Sequence, residues 1–245
     1  MSWLDSVLAT PVIGLKLSPS FGSALSYPTH LSGFLDDLLQ SEQTVNFGLV
    51  QPAGVQVTLV NTGYILKIDI NNAVADFQYP LKGEQTPGEL PAFGSVDLIA
   101  YTAIAEKQVA LLSQAIVALA DQGHPLKCNR FGLVARVAMA SDSLPPGVEA
   151  LKSQLSGSWN HPLIKLDSNA TIRLAENDHW TELCHHKMSF ENSVQGKQVG
   201  LNLDWQRMFK IPIELTSATA GEFLQFHLTA GLDYFERVAD GGYDE

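Results

Sequence analysis

Two segments with helical hydrophobic spacing, 97–121 and 219–238, each close a run of short alternating segments. That repeated arrangement limits the fold more than any other feature of the chain. In the first segment Leu98, Tyr101, Ile104 or Ala105, Leu112, Ile116 and Leu119 recur at three- and four-residue steps. Ser95 can cap its start, Asp97 meets the positive end of the helix dipole, and Gly123 with Pro125 supplies the stop. Its many alanines suit close approach to a sheet, with Ile104, Leu112 and Ile116 turned inward. The second segment opens on Thr219-Ala-Gly-Glu222, the spelling of a capping box. Shorter helices are expected at 28–40, with Pro28 in the first turn, and after Pro145-Pro146.

Between the helices, Val55, Val57 and Leu59 alternate with polar neighbours, as do Leu66, Ile68 and Ile70, and Asn61-Thr-Gly63 joins the two runs as a hairpin. Further alternating runs cover 73–79, 164–174, 181–190 and 199–205, with Glu176-Asn-Asp178 as a turn between two of them. Each long helix therefore closes the order β-α-β-β-β-α. The opening strands share a spelling, Ile13-Gly14-Leu15 against Phe131-Gly132-Leu133. The expectation is an α+β protein of two pseudo-repeated halves, 1–123 and 124–245, with antiparallel sheets packed by the long helices. Each half alone is near the small end for an independent core, so the two sheets are expected to meet or fuse.

Composition narrows the partners. The 26 acidic and 15 basic side chains leave a formal net charge of −11, and no stretch concentrates Lys and Arg. Bulk electrostatics disfavour direct binding to nucleic acid or to an anionic membrane face. The most apolar run, 109–120, is short against the roughly 20 residues of a spanning helix. An acid, Asp5, stands where a secretory signal carries Lys or Arg, and two cysteines, Cys128 and Cys184, read as reduced thiols. The expected location is cytoplasmic.

The strand Arg130 to Arg136 reads Arg-Phe-Gly-Leu-Val-Ala-Arg, follows a long helix and precedes a loop rich in Leu and Pro, while the terminal helix is rich in Phe and Leu. In these respects, over 128–145 and the terminal helix, the chain resembles a sporadically distributed family of uncharacterised bacterial proteins of about this length. The resemblance implies a bacterial accessory gene of the kind found in mobile or defence-related neighbourhoods. It carries over no catalytic residue.

One cluster has ligand chemistry: His179-Trp-Thr-Glu182-Leu-Cys184-His185-His186. On a strand Glu182, Cys184 and His186 share a face and His185 takes the other. His179, Cys184 and His186 are the metal candidates, yet one strand offers same-face ligands about 7 Å apart. A tetrahedral zinc ion needs four donors at about 2.0–2.3 Å, and no second cluster of matching spacing exists. Ordinary sheet residues and no metal are expected, with His227 or His161 as the distant groups able to complete a site. No phosphate loop, strained nucleophile elbow or separable pair of carboxylates is present, so no catalytic residue and no cofactor are assigned. The terminal helix carries Phe223, Phe226, Tyr234 and Phe235 on more than one side, and such a helix is either deeply buried or docked on a partner.

These observations favour a non-catalytic protein-binding or assembly subunit, joined to a partner protein or to copies of itself. The alternative is a small-ligand-binding protein or enzyme with an apolar cavity between sheet and helix, lined from Trp159, Trp180, His186 and Trp205.

Overall fold

A computed structural model of the chain describes residues 2–18, 27–41, 44–50, 54–80, 83–84, 92–93, 97–156, 165–193 and 196–242. After a 3₁₀ turn at Trp3–Ser6, the elements are β1 (Leu8–Leu17), α1 (Tyr27–His30), α2 (Ser32–Ser41), β2 (Val45–Val50), β3 (Gly54–Leu59), β4 (Tyr64–Ile68) and β5 (Asn72–Phe77). A two-residue ladder, β6 (Gly83–Glu84) with β7 (Ala92–Phe93), precedes α3 (Tyr101–Asp121). Then follow β8 (Leu126–Ala140), α4 (Pro146–Ser156), β9 (Lys165–Glu176), β10 (Trp180–Ser193), β11 (Gly196–Leu215) and α5 (Ala220–Asp240).

The protein is α+β. Nine strands form one antiparallel sheet in the order β2-β3-β4-β5-β1-β8-β11-β10-β9. Outward from the central pair, β1 is followed by β5, β4, β3 and β2, and β8 by β11, β10 and β9. In that pair Ile13 lies opposite Leu133, Gly14 opposite Gly132 and Leu15 opposite Phe131. The expected fusion of the sheets happens here.

α3 and α5 lie side by side on one face, α3 over β1 and β5, α5 over β11 and β8. Alternation along each strand points Ile13, Leu15, Phe131, Leu133, Leu203 and Trp205 into the layer beneath them, all at most 1% exposed. Ile104, Leu112 and Ile116 face this layer and are fully buried, as the spacing predicts. α3 is the one described helix long and apolar enough to cross a bilayer, and half of its apolar window is buried here. The opposite sheet face carries the intervening residues, among them Lys16, Arg136, Asn202 and Lys187, which are half-buried or exposed.

Several local expectations are corrected. α3 starts at Tyr101, and its first turn is capped from outside the helix: the Asp5 carboxylate accepts from the Thr102 N–H at 2.9 Å and from its hydroxyl at 3.0 Å. Ser95, the expected cap, lies outside the described residues. The capping box at Thr219 does not form, because Thr219 Oγ1 accepts from the Thr216 N–H at 3.0 Å instead. The helix expected at 28–40 is broken at the fully buried Leu31 into α1 and α2. β1 runs back to Leu8 through Pro11, which a central strand normally excludes. β5 pairs only with Ile13 to Lys16, so Pro11 removes no ladder bond on that side, and its carbonyl accepts from Gln108 Nε2 at 3.0 Å. The hairpin at 61–63 forms as read, with Gly63 at φ +82°.

Candidate functional site

The ends of β10 and β11 and the first turns of α5 enclose an aromatic cleft. Local chemistry starts it. Asn177 Oδ1 accepts from the backbone N–H of His179 at 2.8 Å and of Trp180 at 2.9 Å, closing the β9–β10 turn and launching β10. Register then sets Trp180 opposite Phe209, Glu182 opposite Arg207 and Cys184 opposite Trp205. β11 runs on beyond the start of β10. Its ladder with β8 slips between Met208 and Ile213, so that Phe209 to Pro212 oppose Asn129 alone. Pro212 has no N–H to give a ladder, and the slip lifts Ile211 to 76% exposure.

Beneath the cleft lies a buried ion pair. Glu182 Oε2 accepts from Arg207 Nε at 3.0 Å and Nη2 at 2.6 Å, and Oε1 accepts from the Trp205 indole at 3.0 Å. The guanidinium sits 4.4 Å from the centroid of Trp180, 5.2 Å from Trp205 and 5.6 Å from Phe226. This aromatic packing suits a flat, weakly hydrated cation.

His227 is the second polar group. Its ring centroid lies 4.3 Å from Phe223, 5.2 Å from Phe226, 5.3 Å from Phe131 and 5.5 Å from Phe209. Nδ1 lies 2.7 Å from the Phe223 carbonyl. A carbonyl only accepts, so Nδ1 carries the proton and Nε2 presents a lone pair. Burial holds the imidazole down at about 4, below its ordinary 6.5; the Phe223 carbonyl raises it, and the charges of Arg207 and Glu182 act in opposite senses. The ring is neutral at pH 7.

The cleft above has a volume of about 330 Å³, and Trp180, Arg207, Phe209, Ile213, Phe226 and His227 are among its lining residues. A second hollow of about 710 Å³ continues along α5 and shares Phe223, Phe226 and His227 with the first. Phe226, 61% exposed, is the ridge between them.

The metal candidates divide, with His179 apart from Cys184 and His186. His179 is exposed at the cleft rim. Cys184 and His186 share the helix-facing side of β10 with Glu182, as the alternation predicts; Glu182 is taken by Arg207 and Trp205, while Cys184 and His186 share one partner. His186 Nε2 lies 2.7 Å from the Tyr234 hydroxyl, and that hydroxyl also bonds the Cys184 thiol. Burial, with the charge of His185 second, lowers the His186 imidazole to about 4. Burial also raises the Cys184 thiol far above its ordinary range. His185 turns to the other face, with Nδ1 at 2.8 Å from Thr171 Oγ1. Among the described residues no group of three or more His, Cys, Asp or Glu is placed to hold a metal ion.

Of the four aromatic residues named on the terminal helix, Tyr234 and Phe235 are core, Phe223 is half-buried and Phe226 is exposed. Trp180 lines the cleft, Trp205 and His186 lie in the interior, and Trp159 and His161 are outside the described residues. Sequence reasoning missed Arg207 as a site residue and named His227 only as a distant group able to complete a metal site. A signal for Arg207 existed, since it continues the buried parity of Leu201, Leu203 and Trp205 along one strand. No protein-family model, curated protein or solved structure matches the chain.

Proposed function

We propose that the chain is a non-catalytic, cytoplasmic binding subunit that docks a segment of a protein partner in the cleft between α5 and the ends of β10 and β11. One observation carries this reading. Phe226, Ile211 and Ile213 stand 61%, 76% and 40% exposed around a single concavity, next to a half-buried Trp180. Apolar side chains gathered at a hollow in this way mark an interaction site, whereas scattered ones do not. The polar groups of the floor have positioning roles: Glu182 is committed to Arg207 and Trp205, and His227 to the Phe223 carbonyl.

The scaffold reading that goes with it is a pair of β-α-β-β-β-α halves, 1–123 and 124–245, joined at β1 and β8. It is supported by a similar element order, in which the first half carries four sheet strands (β2–β5) where the second carries three (β9–β11), by the mirrored strand sequence on either side of that pair, and by Gly14 standing opposite Gly132. On this reading the cleft belongs to the second half alone, because the slip in β11 that opens it has no partner in β5.

The test is selection of a random displayed peptide library on the purified protein, with counter-selection on Phe226→Asp. Enriched peptides should carry a large apolar residue and lose binding to the variant. Failure to enrich any sequence, or enrichment indifferent to Phe226→Asp, would remove the cleft as the docking site.

A further inference from the structure

The floor of the cleft contains two largely buried polar residues, each with one side-chain atom that has hydrogen-bonding capacity to spare. Arg207 is 9% exposed and His227 5%. The hydrogen bonds of Arg207 to described residues use Nε and Nη2, which leaves Nη1 as a donor. Those of His227 use Nδ1, which leaves Nε2 as an acceptor. Among the described residues, the sealed and unpartnered polar side-chain atoms are Thr62 Oγ1 and Gln108 Oε1. Nη1 and Nε2 therefore reach accessible space, and the space both residues border is the cleft.

An occupant that enters must replace water on one donor and one acceptor while its body lies among Trp180, Phe209, Phe223 and Phe226. A purely hydrocarbon side chain would strip water from both atoms and return nothing. An indole offers a donor but no acceptor. A carboxylate or phosphate offers acceptors only, and Glu182 already cancels the charge of Arg207, so an anion would meet a neutral pair with a carboxylate behind it. A phenol fits: its oxygen accepts from Nη1, its hydrogen is donated to Nε2, and its flat ring suits the aromatic walls.

On the reading that the cleft docks a protein segment, we infer that the residue entering it is an unmodified tyrosine of the partner, its hydroxyl held between Arg207 and His227. Flanking apolar residues of that segment rest on Ile211 and Ile213.

Calorimetry with acetylated, amidated Leu-Tyr-Leu, its Phe analogue and its phosphotyrosine analogue tests this, with free 4-ethylphenol as a control. The tyrosine peptide should bind about tenfold or more tighter than the phenylalanine peptide, the scale of leaving buried polar atoms unpaired. The phosphotyrosine peptide should not bind. His227→Phe should bring the Tyr and Phe peptides to equal affinity, and the wild-type ratio stands even if that variant fails to fold. Equal affinities in the wild type, or a preference for phosphotyrosine, would overturn the tyrosine and leave the docking cleft intact. Binding of 4-ethylphenol as tightly as the peptide would overturn the protein source in favour of a small phenol. If no peptide binds, and the displayed library also yields none, the cleft reading falls with the inference.

Discussion

Glu182 and Arg207 lie twenty-five residues apart in the chain and directly opposite one another in the sheet, and one carboxylate oxygen of the first takes two guanidinium N–H groups of the second. Both side chains are about nine-tenths buried. Such a pair costs much to break and little to replace as a unit, because the expensive state is a single charge left without its partner. Arg207→Met is expected to lose about 3–5 kcal/mol of stability. Glu182→Gln with Arg207→Met should recover most of it, since Gln still accepts from the Trp205 indole. Urea unfolding of the two variants checks this; a double variant as unstable as the single one would show that packing of the guanidinium on Trp180 dominates.

His186 and His227 make stability depend on pH. Both imidazoles are lowered to about 4 in the folded protein, below the ordinary 6.5, chiefly by burial. The unfolded chain therefore takes up protons first as the pH falls. The contribution is intact above about pH 6.5, declines as the pH drops toward 4, and levels off below it. The loss is on the order of 3 kcal/mol per ring across that window. Urea midpoints measured from pH 7 to 4.5 should fall steadily, and the slope should drop by about half in His227→Phe. A flat profile in the wild type would contradict the burial of these rings as charged-form penalties.

The two thiols should be silent. Cys128 is buried and pushed up to about 12, and Cys184 is raised further, burial being the first cause in both. The thiolate is the reactive form, so a thiol reagent at pH 8 should titrate none in the native protein and two in urea. Rapid modification of either cysteine in the native state would place it at the surface.

Gly147 lets α4 touch the end of α5. A Cβ there would stand 2.1 Å from the Val238 carbonyl oxygen and 2.5 Å from the Gly241 nitrogen, both backbone atoms with no rotamer to yield. Gly147→Ala is expected to cost about 1–3 kcal/mol, the range for overpacking, and to loosen α4 from α5. Amide exchange at the last turn of α5 reports on it, and unchanged protection there would count against the contact.

Local pattern alone placed the two long helices, the inward faces of α3 and β10, the Gly63 hairpin and the Asn177 turn. These depend on periodicity and on the conformational habits of a few residues, so they survive in a linear reading. The same alternation assigned Glu182, Cys184 and His186 to one face correctly, and stopped there. A period of two states which side a residue takes but not what waits on that side. Arg207 beside Glu182, Tyr234 beside His186 and Asp5 at the start of α3 come from strand register and from helices crossing over the sheet, across separations of 25, 48 and 97 residues. For the same reason His179, a neighbour of Cys184 and His186 in sequence, ends at the cleft rim, while those two meet at the Tyr234 hydroxyl. The cleft is a wholly tertiary product: a strand that outruns its neighbour, a slip opposite Asn129, and α5 laid across the end.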